Sequence, residues 1–117
     1  MAIQSFHELL DDSLLQSGID LESILGVREI AWGRADALRA IASLRQTDWA
    51  ILGGDVLRRT GGKIEYTNDS WHTELQSNES GLDFLGRSHD EGEAFLLGYR
   101  NHADDPYLFV LVAGRVV

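Results

Sequence analysis

The chain has 117 residues and a formal net charge of −9, and it contains no cysteine. A single domain of this length can bury a hydrophobic core without covalent cross-links. The negative charge argues against binding to nucleic acid or to an anionic membrane, and the lack of cysteine excludes disulfides, thiolate zinc sites and a cysteine nucleophile.

The beginning of the chain lacks the basic and apolar segments of a secretion signal. No stretch reaches the roughly 18 consecutive apolar residues that a membrane span needs. We therefore expect one domain, residues 1–117, in a reducing cytoplasmic setting.

Two helical segments are predicted near the start of the chain. Ser5 and Glu8 have the spacing of a capping box, and apolar residues recur at helical intervals from there to Gly18. A shorter segment, residues 19–26, has Asp20 as its candidate cap. The pattern of residues 27–32 fits either a strand or a loop.

An alanine-, leucine- and arginine-rich stretch, residues 34–46, predicts a helix with one buried apolar stripe. Its three arginines, Arg34, Arg39 and Arg45, are either a basic contact surface or a solvated face, and we expect a solvated face because so few basic residues in an acidic protein seldom form a contact surface.

The middle of the chain predicts a β-hairpin that turns at Gly61-Gly62. This turn sets the register, so that Leu57 lies opposite Tyr66. Leu57, Ile64 and Tyr66 are then expected on the core face, because side chains alternate along a strand.

Upstream in the same strand, Gly53 and Gly54 interrupt the run of side chains. Such a pair indicates a β-bulge or the close approach of another backbone or a ligand. Asp55, directly after it, either caps the bend or belongs to a binding site.

The last third of the chain predicts a helix and a strand. Ser88 and Glu91 repeat the capping-box spacing, which predicts a helix over residues 89–100 after a loop or irregular strand. Asp104-Asp105 is expected to be a solvated turn, and the apolar run 107–113 predicts a central strand covered on both faces. The order of elements predicts an α+β fold, with helices packed on a small, mostly antiparallel sheet that contains a β-hairpin.

The sequence contains no His-Glu-x-x-His motif, phosphate-binding loop or nucleophile elbow. His72 lies near Asp69 and Glu74, and this group is either a metal or acid/base site or a solvated surface. We expect no metal and no cofactor.

Four features follow one another along the chain. They are Ala31-Trp32, the helix after it, the run Ile51-Leu52-Gly53-Gly54-Asp55-Val56 with its hairpin, and the segment Asn68-Asp69-Ser70-Trp71. This pattern, over about residues 27 to 100, resembles the bacterial immunity proteins of polymorphic toxin systems, and in particular immunity protein family 40. The family pattern has the aspartate, asparagine and tryptophan adjacent, whereas Ser70 separates them here.

The resemblance implies a protein without catalysis that binds and neutralises a cognate toxin domain. An acidic inhibitor suits a basic toxin, because complementary fields speed association. We expect Asp55, Asp69 and Glu74 to bind this partner, with Trp71 as either an aromatic anchor or a core residue. The structural glycines are Gly53, Gly54, Gly61 and Gly62.

Two alternatives remain open at this level. One is a small metal-dependent hydrolase that uses Asp55, Asp69 and His72. The other is a regulatory or adaptor domain that binds a peptide or a host protein.

Overall fold

The structure is a computed structural model that describes residues 5–100 and 104–116. A 3₁₀ turn, Phe6–Leu9, precedes the helices α1 (Asp12–Ser17), α2 (Glu22–Leu25), α3 (Arg34–Leu44) and α4 (Gly81–Gly98). The strands are β1 (Ile19–Asp20), β2 (Ile30–Trp32), β3 (Trp49–Thr60), β4 (Lys63–His72) and β5 (Tyr107–Arg115).

The five strands form one sheet in the order β1-β2-β5-β3-β4, and each neighbouring pair is antiparallel. This architecture confirms the predicted α+β fold. Strand β5 lies at the centre of the sheet, and its residues from Tyr107 to Leu111 are buried, as predicted. The predicted cover on both faces does not extend over the whole run 107–113, because Val112 is 42% exposed. Within the described ranges, no helix is long and apolar enough to cross a membrane.

The larger core lies between the sheet and the helices α3 and α4. Its fully buried members include Trp32, Ile41 and Phe109. A smaller apolar cluster covers part of the opposite face, where Leu21, just ahead of α2, packs with residues such as Leu57. We call the α3 and α4 side the helix face and the opposite side the open face.

The β3–β4 hairpin has the predicted register. Thr60 pairs with Lys63 around the turn, and Leu57 pairs with Tyr66. Gly61 and Gly62 both have positive φ, 56° and 83°, as a tight two-residue hairpin turn requires.

The prediction that Tyr66 lies in the core is wrong, because its side chain is 43% exposed. The alternation places Tyr66 on the open face beside Leu57, but β4 is the edge strand. The short helix α2 has only four residues, and the small cluster reaches Ile64 without reaching Tyr66.

Helix α4 begins eight residues earlier than predicted. Its cap is Ser80, whose side chain accepts a hydrogen bond from the Asp83 amide. Ser88, predicted as the cap, is fully buried inside the helix, and its hydroxyl accepts from the Ile51 amide at 3.1 Å. The next residue, His89, donates from Nε2 to the carbonyl oxygen of Trp49 at 2.8 Å.

These two contacts have a topological cause. Strand β4 pairs with β3 only from Gly53 onward, so within the described part of the chain the first residues of β3 have no strand on that side. Buried backbone groups need partners. Ser88 and His89 of α4 supply them, and a capping-box spacing cannot distinguish this role from a helix start.

The Ser5–Glu8 capping box is present, but it starts the 3₁₀ turn Phe6–Leu9, and a new helix, α1, begins after Asp11. Helix α3 follows its predicted range closely.

The solvated position predicted for Arg34 is wrong. The turn before β5 brings Asp105 beside the start of α3, and the Arg34 side chain, 9% exposed, donates two hydrogen bonds to this carboxylate, at 2.8 and 3.0 Å.

Candidate partner-binding surfaces

The Gly53-Gly54 pair permits a close approach of β4 to β3. A Cβ atom on Gly53, whose φ is +150°, would lie 2.2 Å from the carbonyl oxygen of Trp71. A Cβ atom on Gly54 would lie 2.3 Å from the carbonyl oxygen of Val110 and 2.4 Å from the Trp71 ring. A side chain at either position is therefore incompatible with this arrangement.

Trp71 uses this space on the helix face. Its ring stacks on Phe95 of α4, with a centroid distance of 4.4 Å and an interplanar angle of 23°. The indole nitrogen is buried and has no hydrogen-bond partner in the part of the chain that the structure describes. The residue is only partly buried, so Trp71 packs the domain together and shows part of its surface to solvent.

Asp69 also belongs to the helix face. Its carboxylate accepts a hydrogen bond from the Tyr99 hydroxyl at 2.7 Å, and the guanidinium of Arg100 lies 4.0 Å away. Desolvation, followed by the contact with Asp69, raises the pKa of Tyr99. This contact ties the middle of β4 to the end of α4.

Asp55 lies on the other side of the sheet. It pairs with Val110 and stands two residues before Leu57, and both of these side chains belong to the small cluster on the open face. Glu29, just before β2, is close enough that the Asp55 charge contributes to raising its pKa, after the larger effect of desolvation. The same two carboxylates, again after desolvation, raise the pKa of Tyr66.

Glu74 lies in the loop between β4 and α4. Arg87 of α4 organises this loop, since its guanidinium donates to the Glu74 carbonyl oxygen at 2.8 Å and to both Glu79 carboxylate oxygens at 2.7 Å. The ion pair with Glu79 raises the pKa of Arg87. The Glu74 residue itself is exposed, so its carboxylate is presented on an ordered loop.

The structure thus divides the four predicted partner-binding residues. Asp69 and Trp71 lie on the helix face, Asp55 lies on the open face, and Glu74 lies beyond the end of β4. The hydrolase alternative requires Asp55 and Asp69 to act together, and the sheet separates them. Among the described residues, no group of three or more histidine, aspartate or glutamate side chains could hold a metal ion.

Sequence reasoning missed Glu29 and Tyr66 as members of a charged surface. Glu29 lies 26 residues before Asp55, in a stretch whose pattern fits either a strand or a loop. The alternation of side chains along β4 predicts a core position for Tyr66. Only the order of strands brings β2 and β4 to opposite sides of the β5–β3 pair and places these side chains on one face.

The fold and these surfaces define a small acidic α+β domain whose charged side chains are presented on two faces and one ordered loop. The model of the family described as Immunity protein 40 matches residues 20–113, and the chain belongs to this family. The match confirms the resemblance predicted from the sequence and extends it at both ends. Comparison with curated proteins and with solved structures found no match.

Proposed function

We propose that this chain is a cytoplasmic immunity protein that binds a cognate bacterial toxin domain and neutralises it without catalysis of its own. The observation that carries the proposal is the membership of residues 20–113 in an immunity protein family. The cognate toxin domain is the only partner proposed, and the interaction needs no cofactor.

The electrostatics of the chain favour a basic toxin. A net charge of −9 on 117 residues produces a negative field, which steers a positively charged partner and speeds its association. The same field opposes binding to nucleic acid and to anionic membranes. These effects support a protein partner whose binding surface carries lysine or arginine.

The proposed contacts surround the edge strand β4. Asp69 and Trp71 lie on its helix face, Asp55 pairs with Ser70 from the neighbouring strand, and Glu74 follows its end. A partner that approaches the free side of β4 can reach both faces of the sheet. We therefore retain all four residues as proposed toxin contacts, although they do not form one continuous cluster.

Asp55→Lys is the sharper test of these contacts. Trp71→Ala would remove the stacking on Phe95 as well as any contact with a toxin, so a loss of binding would have two explanations. Asp55 makes no ion pair within the described residues, and its charge reversal is expected to weaken toxin binding while the fold persists.

The first experiment is recovery of the tagged chain from its native cells at moderate salt, with mass spectrometry of what remains bound. The recovered domain is then expressed in a neutral host with and without this chain. A one-to-one complex and restored growth are expected. If the recovered domain stops growth equally in the presence and absence of this chain, the proposed function is wrong.

A further experiment distinguishes the metal-dependent hydrolase from an inhibitor without catalysis. That alternative expects the melting temperature to rise on addition of a divalent metal and a hydrolytic activity to disappear in Asp69→Ala. An inhibitor without catalysis should protect the host by binding alone, in proportion to the amount of complex.

A further inference from the structure

The residues that the structure describes cover only part of the open face of the sheet. The segment around α2 packs Leu21 over the part formed by Ala31, Leu57 and Leu108. Beyond it, Tyr66 is 43% exposed and Val112 is 42% exposed. The alternation on β5 places Val112 on the same face as Val110 and therefore on the same face as Asp55.

Two carboxylates, from Glu29 and Asp55, lie in this uncovered part. Both residues are partly buried, and neither carboxylate takes part in an ion pair in the part of the chain that the structure describes. The cation next in sequence, Arg28, has a 91% exposed side chain, and its guanidinium lies 4.0 Å from Glu22. Residues 5–100 and 104–116 therefore supply no counter-ion to this pair of carboxylates.

This arrangement is unfavourable in the isolated protein. Desolvation and the neighbouring Asp55 charge both raise the pKa of Glu29, which means that its ionised form is held in a poor environment. A cation placed between the two carboxylates would offset their repulsion and stabilise the ionised form of Glu29. The exposed Tyr66 ring beside them offers an apolar surface for the stem of a long basic side chain.

We infer that the open sheet face, defined by Glu29, Asp55, Tyr66 and Val112, is the main docking surface for a basic surface element of the toxin domain. A lysine or arginine side chain of the toxin lies between the carboxylates of Glu29 and Asp55, with its stem against Tyr66. The inference rests on the proposed function and adds two residues, Glu29 and Tyr66, to the toxin-binding surface.

The test uses the full chain and the toxin domain recovered above, with binding measured by calorimetry. The double variant E29Q/D55N keeps the shape of both side chains and removes two charges. The matched control, D12N/D83N, removes two exposed carboxylates on α1 and α4, which pack on the helix face, and changes the net charge equally. The double variant should raise Kd at least about tenfold, whereas the control should change it no more than about twofold.

A second variant, Y66A, should also weaken binding, since Tyr66 is exposed and its removal leaves the core intact. Thermal melting of each variant alone checks the fold. E29Q/D55N should melt no lower than the wild type, because it removes a repulsion. This readout separates a lost docking contact from a damaged structure.

The outcomes are distinct. Unchanged binding by E29Q/D55N and Y66A would overturn this inference and leave the proposed function standing. Failure of the wild type and of D12N/D83N to bind the toxin domain would overturn the proposed function and the inference together. A wild-type dimer in sedimentation that dissociates in Y66A would show that a second copy of this chain covers the face, which also overturns the inference.

Discussion

The ring of Trp71 lies directly on the backbone of Gly54 in the neighbouring strand, where a Cβ atom would be 2.4 Å from it. The same ring stacks on Phe95, so a residue without a side chain in β3 allows an aromatic residue of β4 to join the core under α4. This contact explains why an apolar strand contains a glycine in its middle.

Gly54→Ala should therefore destabilise the protein by about 2–4 kcal/mol, because the new methyl group meets the Val110 backbone as well as the Trp71 ring. Urea unfolding followed by tryptophan fluorescence measures the change. Gly86→Ala is the control, since it adds a methyl group in open space on α4 and should stabilise by about 0.5–1 kcal/mol. Equal effects of the two substitutions would contradict the close contact.

The Arg34–Asp105 pair predicts a large effect of a single amide substitution. Asp105→Asn removes the charge that faces a guanidinium with only 9% exposure and should cost about 2–4 kcal/mol in the free energy of unfolding. Asp36→Asn breaks the pair with Arg39, whose side chain is 53% exposed, and should change stability by no more than about 0.5 kcal/mol. Chemical denaturation of both variants measures the two changes in the free energy of unfolding. If Asp105→Asn leaves the stability unchanged, Arg34 has found another partner.

Ser88→Ala should leave the buried Ile51 amide without its hydrogen bond, at a cost of about 1–3 kcal/mol. Hydrogen exchange should show a faster Ile51 amide than in the wild type. Ser43→Ala, on the exposed side of α3, removes a hydroxyl that donates to the Arg39 carbonyl oxygen of the same helix and should have little effect. Unchanged protection of the Ile51 amide would mean that this amide has another hydrogen-bond partner in the variant.

The raised pKa of Glu29 predicts a pH-dependent gain in the variant Glu29→Gln. A carboxyl whose pKa is higher in the folded state than in the unfolded state destabilises the fold when it is ionised, and this penalty disappears once the pH falls below its unfolded value. Glu29→Gln should therefore melt at a higher temperature than the wild type at pH 7, and the difference should vanish at about pH 3.5. If the difference in melting temperature instead grows on acidification, the pKa of Glu29 is not raised by folding, and the environment described for it is wrong.

The negative field predicts a salt-dependent association rate with the toxin domain. Raising the ionic strength from about 0.05 M to 0.5 M should lower the association rate constant at least several-fold, because the Debye length falls and the steering field is screened. The dissociation rate should change less. Stopped-flow mixing measures both, and a rate that does not depend on salt would contradict a basic partner.

Local patterns in the sequence were sufficient to predict several elements of the fold. The turn at Gly61-Gly62 fixed the pairing of Leu57 with Tyr66, since a two-residue turn leaves only one register. The apolar run of β5 identified the central strand, because successive apolar residues are typical of a strand covered on both faces, as residues 107–111 are. The Gly-Gly-Asp run and the Asn-Asp-Ser-Trp segment were sufficient to identify the family.

Other features depended on contacts between distant parts of the chain. Arg34 and Asp105 are 71 residues apart, and Ser88 and Ile51 are 37 residues apart. In both cases a polar residue that is typical of a surface or a cap became buried because a backbone group or a charge needed a partner there. No local pattern carries that information.

The sequence by itself therefore determined the class of fold, the hairpin, the acidic charge and the family, because these depend on composition, on local spacings and on the order of motifs along the chain. Only the tertiary structure decided which face each charged side chain occupies. It placed Asp69 and Trp71 against α4 and brought Asp55 beside Glu29 and Tyr66 on the opposite side of the sheet. The physical reason is that strand order and the reach of a short covering helix determine exposure, and both depend on how elements far apart in the chain pack together.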